Sequence, residues 1–253
     1  MTEIADTQPR HRRLAAILIG FTALIEVVLV SHHPVVSRIE GDPSIPFGGL
    51  AAIMRMNLTF HAILMLVVVG QFLGLVLFAR RLGLHRPVVI AGLLFCGLAA
   101  VLMIIAMTFD GFVVYELISR CSASKEGCTK GTADTLRLAG AIIQGFTKLG
   151  FGAQCLGFAA LGAAMWTLGG RARIAASACV IAAVAPVAIV ISGEYVGPQQ
   201  LMEILILLAV WGVGVAAVLV LGGSPQATAH DDVTHVSGAG LGHSPNDITP
   251  LAH

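Results

Sequence analysis

Charge is scarce in this chain of 253 residues: Asp, Glu, Lys and Arg make up 11% of it, against 57% hydrophobic residues and a mean hydropathy of +0.88. A soluble domain carries about 25% charged residues. A water-facing surface cannot be covered with so few, which excludes a soluble globular enzyme. The same hydrophobicity excludes an intrinsically disordered chain, and five cysteines spread over this length exclude a disulfide-framework mini-protein. A formal net charge of +1 argues against a nucleic-acid partner. The apolar stretches lack period-2 alternation, so a β-barrel is a poor reading. A polytopic helical membrane protein remains.

A spanning helix needs roughly 20 mostly apolar residues. Six such runs are present, at Leu14–Val30, Leu50–Phe78, Val88–Phe109, Leu136–Leu168, Ile174–Ser192 and Leu201–Leu221. They predict an all-α, six-helix transmembrane bundle over residues 14–221. It is preceded by a short basic segment, 1–13, and followed by a polar, His-containing tail, 222–253, which has no hydrophobic periodicity and reads as disordered. The first run follows Arg10, Arg12 and Arg13 as a secretory signal would. It is longer than a usual signal core and lacks an A-x-A site, so it reads as an uncleaved anchor.

Orientation follows from Lys and Arg close to the helix ends. Arg10, Arg12, Arg13, Arg80, Arg81, Arg86, Arg171 and Arg173 fall on one side. Arg38, Arg120, Lys125, Lys130 and Arg137 fall on the other, diluted by acidic neighbours. Both termini are therefore expected in the cytoplasm, with two long loops outside. Cys121 and Cys128 share one outer loop, CSASKEGC, and an oxidising compartment would let them pair. Cys96, Cys155 and Cys179 lie within apolar runs and read as packing residues.

Polar side chains inside spanning segments are costly and by default mark function. Glu26 lies below the outer end of the first helix, with His32 and His33 above it. The second helix carries Arg55, Asn57 and His61, with Gln71 deeper; the third closes at Asp110. The fourth holds Gln144 and Lys148, the fifth ends in Glu194, and the sixth opens with Gln199, Gln200 and Glu203. Nearly all fall in the outer half, which predicts a polar pocket open to the outside. Helix-end residues such as His32, His33, Asp110 and Glu194 also fit the headgroup region, and Arg55 fits snorkelling. Lys148 beside Glu26 or Glu203 also fits a buried ion pair that only fixes packing.

His32, His33, His61 and Asp110 make a three-His, one-carboxylate set suited to copper, zinc or iron. No H-E-x-x-H or H-x-x-x-H spacing supports it. The same histidines suit haem less well, since no C-x-x-C-H is present. A bound metal with an open position would activate water, as a lipid hydrolase needs. Without a metal, His61 with Glu26, Asp110 and Lys148 would serve a proton-coupled permease of small solutes, although the bare inner half speaks against a carrier. A third class is an accessory or assembly subunit of a membrane complex, in contact with another membrane protein or a second copy.

S-H-H-P at Ser31 to Pro34, the Arg55 and His61 region, A-R-R-L-G-L at Ala79 to Leu84, D-G-F-V at Asp110 to Val113 and the G-F-G-A-Q-C-L-G-F run resemble a group of small six-helix bacterial inner-membrane proteins of unknown function. The resemblance covers about residues 12–222. It implies the six-helix fold and a bacterial inner-membrane home, and it carries no activity.

Overall fold

A computed structural model of the chain describes residues 8–32, 47–123, 130–167 and 198–221, with scattered positions between 170 and 196. The chain divides into two units, Met1–Leu221 and Gly222–His253, and all described residues lie in the first. Every described element is helical: α1 Gln8–Ser31, α2 Phe47–Leu82, α3 Pro87–Thr108, a π-helical turn Phe109–Val113, α4 Val114–Ala123, α5 Lys130–Trp166 and α6 Pro198–Leu221. Five stretches are long and apolar enough to cross a membrane: Arg10–Ser31, Met54–Leu82, Pro87–Cys121, Lys130–Trp166 and Gln199–Val220. The expected all-α membrane bundle is thus what the chain forms. The predicted run Ile174–Ser192 falls mostly outside the described residues, as does the tail from Gly222.

Local chemistry sets the turn between α2 and α3. Gly83 takes the left-handed conformation, φ +95°, that closes α2, and its N–H donates to the Ala79 carbonyl at 3.1 Å. Pro87 then opens α3 at a first-turn position, where its missing N–H costs nothing. Arg86 between them donates from Nη1 to the carbonyls of Leu82, 3.4 Å, and Ala164, 3.3 Å, and from Nη2 to Thr167 Oγ1 at 2.9 Å. One guanidinium thereby joins the ends of α2 and α5 at the foot of α3.

Small residues set how closely the helices approach. On α1, Ile19 meets Gly74 of α2 and Gly20 meets Ala216 of α6, so α1 lies between those two helices. On the other side α3 packs along α5, where Gly92 faces Gly157 and Leu161, and Gly157 in turn faces Cys96. Phe158 of α5 stacks on Trp211 of α6 with ring centroids 3.6 Å apart, linking the two halves. Ile17, Phe21, Leu24 and Val28 form an exposed apolar stripe on α1 at helical spacing, and Leu94, Leu98 and Val101 do so on α3. In lipid such faces are solvated.

The helices run past the apolar runs, α1 from Gln8 and α2 over Phe47–Leu82, and two further boundaries bear on the site. The third apolar run does not stop the helix at Asp110; the chain continues through the π turn into α4, up to Ala123. The fourth helix starts at Lys130 rather than Leu136. Much of the expected second outer loop is therefore helical. Hydropathy marks where the bilayer ends, and a helix with i,i+4 partners such as Arg120 and Glu116, 2.8 Å apart, continues beyond it.

Candidate functional site

The π turn is the element that builds the site. Inserting one residue into a helical turn re-aims its side chains, and such turns often sit where function does. Here it carries Asp110 and Gly111. Gly111 is buried against His61, and a Cβ added to it would stand 2.5 Å from the His61 Cβ. The backbone of the π turn therefore runs directly across the imidazole of α2, which only a residue without a side chain permits.

His61 is held at both ring nitrogens. Nδ1 lies 2.9 Å from the carbonyl oxygen of Asn57, one helical turn earlier, and a carbonyl can only accept, so Nδ1 carries a proton. Nε2 then faces Asp110 Oδ2 at 3.1 Å. The His61 side chain is 5% exposed and that of Asp110 38%, so the carboxyl bridges the buried imidazole to the periphery. Asn57 Nδ2 donates to the backbone oxygen of Asp110 at 3.3 Å, tying α2 to the π turn a second time. Its other amide atom is left over: Oδ1 is buried with no hydrogen-bond partner.

These groups form one end of a cavity of about 490 Å³. Its walls are mainly aliphatic, with Phe72, Met103 and Phe151 among them. Farther along α2, Gln71 Nε2 donates to Glu26 Oε2 of α1 at 3.4 Å; both residues are buried and both line the cavity. His61 and Gln71 are ten residues apart, about 15 Å of helix. The cavity therefore has two polar stations joined by apolar wall. Gln144 also lines it, but its amide is committed: Nε2 donates to the Val196 oxygen at 3.2 Å, and the Val196 N–H donates to Oε1 at 3.0 Å.

Of the residues expected at the site, the fold brings together Glu26, Asn57, His61, Asp110 and Gln144. It does not bring His32, Arg55, Lys148 or Glu203 to them. His32 is exposed, its Nδ1 turned back to the Val28 carbonyl at 2.8 Å and to Ser31 Oγ at 2.9 Å, because the last turn of α1 offers orphan carbonyls. Arg55 is exposed on α2, two positions from Asn57 and so on another face. Lys148 is half-buried on α5 outside the cavity lining, one position from Thr147, which lines it. Glu203 is exposed and accepts from Gln199 Nε2 at 3.2 Å, a pairing within one turn of α6. The expected ion pair of Lys148 with Glu26 or Glu203 is thus replaced by hydrogen bonds from neutral amides to both carboxyls. His33 and Glu194 lie outside the described residues.

Of the three-His, one-carboxylate set, His33 lies outside the described residues, and among the described residues no three His, Cys, Asp or Glu side chains come close enough to hold a metal ion. His61 and Asp110 supply two donors, and His32 is turned away. Cys96 and Cys155 are free thiols in the core, as expected of packing residues. Cys121 is buried on α4 and is not among the free thiols, while Cys128 and Cys179 lie outside the described residues. Gly111 is the residue that composition and spacing do not single out as part of the site, and Gln71 stands out only as a polar residue in a span. Gln71 shares a helical stripe with His61, and Gly111 is marked only by following Asp110. No family model matches the chain, and no curated protein or solved structure matches it.

Proposed function

We propose that this protein binds a small, largely apolar molecule with a hydrogen-bonding head, inside the membrane, in the cavity between α1, α2, α3, α5 and α6. The carrying observation is the unpartnered Oδ1 of Asn57, buried beside the His61–Asp110 pair at the polar end of an apolar cavity. A buried acceptor without a donor costs about 1–3 kcal/mol, and a ligand donor would offset it. Few convergent polar groups in a concave apolar wall are the usual make-up of a small-molecule site. Copper, zinc or iron at His61 and Asp110 is the second reading; it needs a third donor from the chain or the solvent. The surroundings belong to the same proposal: a bacterial inner membrane, both termini cytoplasmic by the arginine bias, the cavity's polar end facing outward, and Cys121 paired with Cys128.

Phenylbutanol, a neutral alcohol on an apolar stem, tests it with full-length protein in mild detergent. Equilibrium dialysis should show saturable binding that is lost in Ala100→Phe, which fills the cavity from α3. Equal binding by both proteins refutes the site. Elemental analysis of the same preparation separates the readings: stoichiometric copper, zinc or iron that disappears in His61→Ala would establish the metal instead. Thiol labelling without reductant should leave Cys121 and Cys128 unreacted, and ready labelling of both refutes their pairing.

A further inference from the structure

We propose that the ligand is a linear, two-headed chain, an uncharged aliphatic molecule with a hydroxyl-type group at each end, lying along the helices; this rests on the cavity being a small-molecule site, as above. The first observation is the shape of the cavity. On α2 its lining falls on Asn57, His61, Leu64, Val68, Gln71 and Leu75, one stripe at helical spacing. That stripe runs about 27 Å along the helix. On α5 the lining has the same reach, from Leu136 to Gln154. A volume of about 490 Å³ spread over that length averages about 18 Å² in cross-section. Such a bore admits one chain lying lengthwise rather than a compact molecule.

The second observation is independent: each polar station holds a buried amide with unmet hydrogen-bonding capacity. At the Asp110 end it is Asn57, 2% exposed, whose Oδ1 has no partner. At the Glu26 end it is Gln154 of α5, 9% exposed, which lines the cavity and hydrogen-bonds to nothing among the described residues. Arg86 fixes the depth of Gln154. It donates to the carbonyls of Leu82 and Ala164, so those two residues share a level. Gln71 lies about 16 Å up α2 from the first, and Gln154 about 15 Å up α5 from the second. Gln154 therefore stands level with the bond from Gln71 to Glu26, on the opposite wall. Asn57 lies about 21 Å farther along α2 than Gln71, and the stripe between them carries Leu64 and Val68.

The third concerns charge. Both carboxyls of the lining already have partners: Asp110 pairs with His61 at 3.1 Å, and Glu26 accepts from Gln71 at 3.4 Å. No Lys or Arg lines the cavity among the described residues. An anionic head finds no cation there, and a charge buried without a counter-charge is costly. The side chains with capacity to spare are amides, which both donate and accept. A hydroxyl also does both, so one such group satisfies each amide. One head at each end, with methylenes against the aliphatic wall between, matches the cavity along its whole length.

Three radiolabelled probes on one skeleton decide it: α,ω-hexadecanediol, its isomer with both hydroxyls at one end, and hexadecanol. Each is bound to full-length protein in nanodiscs, with uptake by empty nanodiscs subtracted. The α,ω-diol is expected to bind about tenfold tighter than hexadecanol, the difference one more buried hydrogen bond makes, and tighter than its isomer, which has the same atoms. In Gln154→Leu the α,ω-diol should fall to the affinity of hexadecanol, which still binds and so reports an intact cavity. Asn57→Leu should remove the same advantage from the other end. If hexadecanol or the isomer binds the unmodified protein as tightly as the α,ω-diol, the two-headed ligand is overturned and the small-molecule site stands. An advantage of the α,ω-diol that survives both substitutions overturns the assignment of the two ends. Saturable binding of none of the three overturns the site as well.

Discussion

At the scale of the residue, Asn57 is the side chain whose cost and use are most clearly separated. It is fully enclosed, makes one long hydrogen bond of 3.3 Å through Nδ2, and leaves Oδ1 with nothing. Leucine has almost the same size and brings no polar atom. Asn57→Leu removes an unmet desolvation cost and a weak bond together, so the ligand-free protein should become more stable by about 1 kcal/mol. Its thermal midpoint in detergent should rise while binding of phenylbutanol falls. A residue kept against its own stability is one kept for a ligand. A fall in midpoint would mean that the Nδ2 bond to the π turn outweighs the orphan acceptor, and the binding role would lose its main support.

At the scale of the element, close contact through glycine positions the site, and two substitutions test it. Gly111→Ala places a methyl 2.5 Å from the His61 Cβ, which sits on a helix backbone and cannot swing aside. Separating the π turn from α2 should cost about 1–3 kcal/mol and lengthen the His61–Asp110 contact, so both thermal stability and alcohol binding should fall. Gly157→Ala meets Cys96 Sγ at 2.5 Å and the Gly92 oxygen at 3.0 Å, and should loosen α3 from α5 by a similar amount. Gly152→Ala, on the same helix with nothing within 4 Å, should be neutral in the same melt. If all three behave alike, helix propensity rather than packing governs these positions. The comparison also shows what was legible in the chain. The apolar runs identify the spans because lipid demands long uninterrupted hydrophobic stretches, and Glu26, Asn57, His61 and Asp110 stand out because polarity there is rare. Their pairing was not legible. Glu26 meets Gln71 across 45 positions of sequence, and helix rotation alone decides that Lys148 leaves the cavity while Thr147 enters it. Asp110 looked like a helix end because hydropathy falls there; the π turn that keeps it inside a helix has no compositional mark.

At the scale of the whole molecule, the described helices fix how the chain must run. Along α1, Gly20 meets Ala216 and Ala23 meets Gly212, so α6 lies antiparallel to α1 and returns the chain to the end where α1 began. Arg86 ties the α2–α3 turn to Thr167 at the foot of α5, while Val196, just before α6, is bonded to Gln144, about 33 Å of helix above Trp166. Thr167 and Val196 therefore lie toward opposite ends of the bundle, and the first residues of α1 share an end with the last residues of α6. The proposed direction rests on the arginines: Arg10, Arg12, Arg13, Arg80, Arg81 and Arg86 gather at the end that holds the first residues of α1, and an excess of basic residues marks cytoplasmic loops. Cysteine introduced at Ser44, between α1 and α2, should react with a membrane-impermeant maleimide on spheroplasts, whereas cysteine at Thr228, beyond α6, should react only after lysis. With that proposed direction the Asp110 end of the cavity faces the outer side, and a ligand would reach it from there. Labelling of Thr228→Cys from outside would invert that direction. Labelling of both positions from outside would contradict the antiparallel placement of α6 along α1.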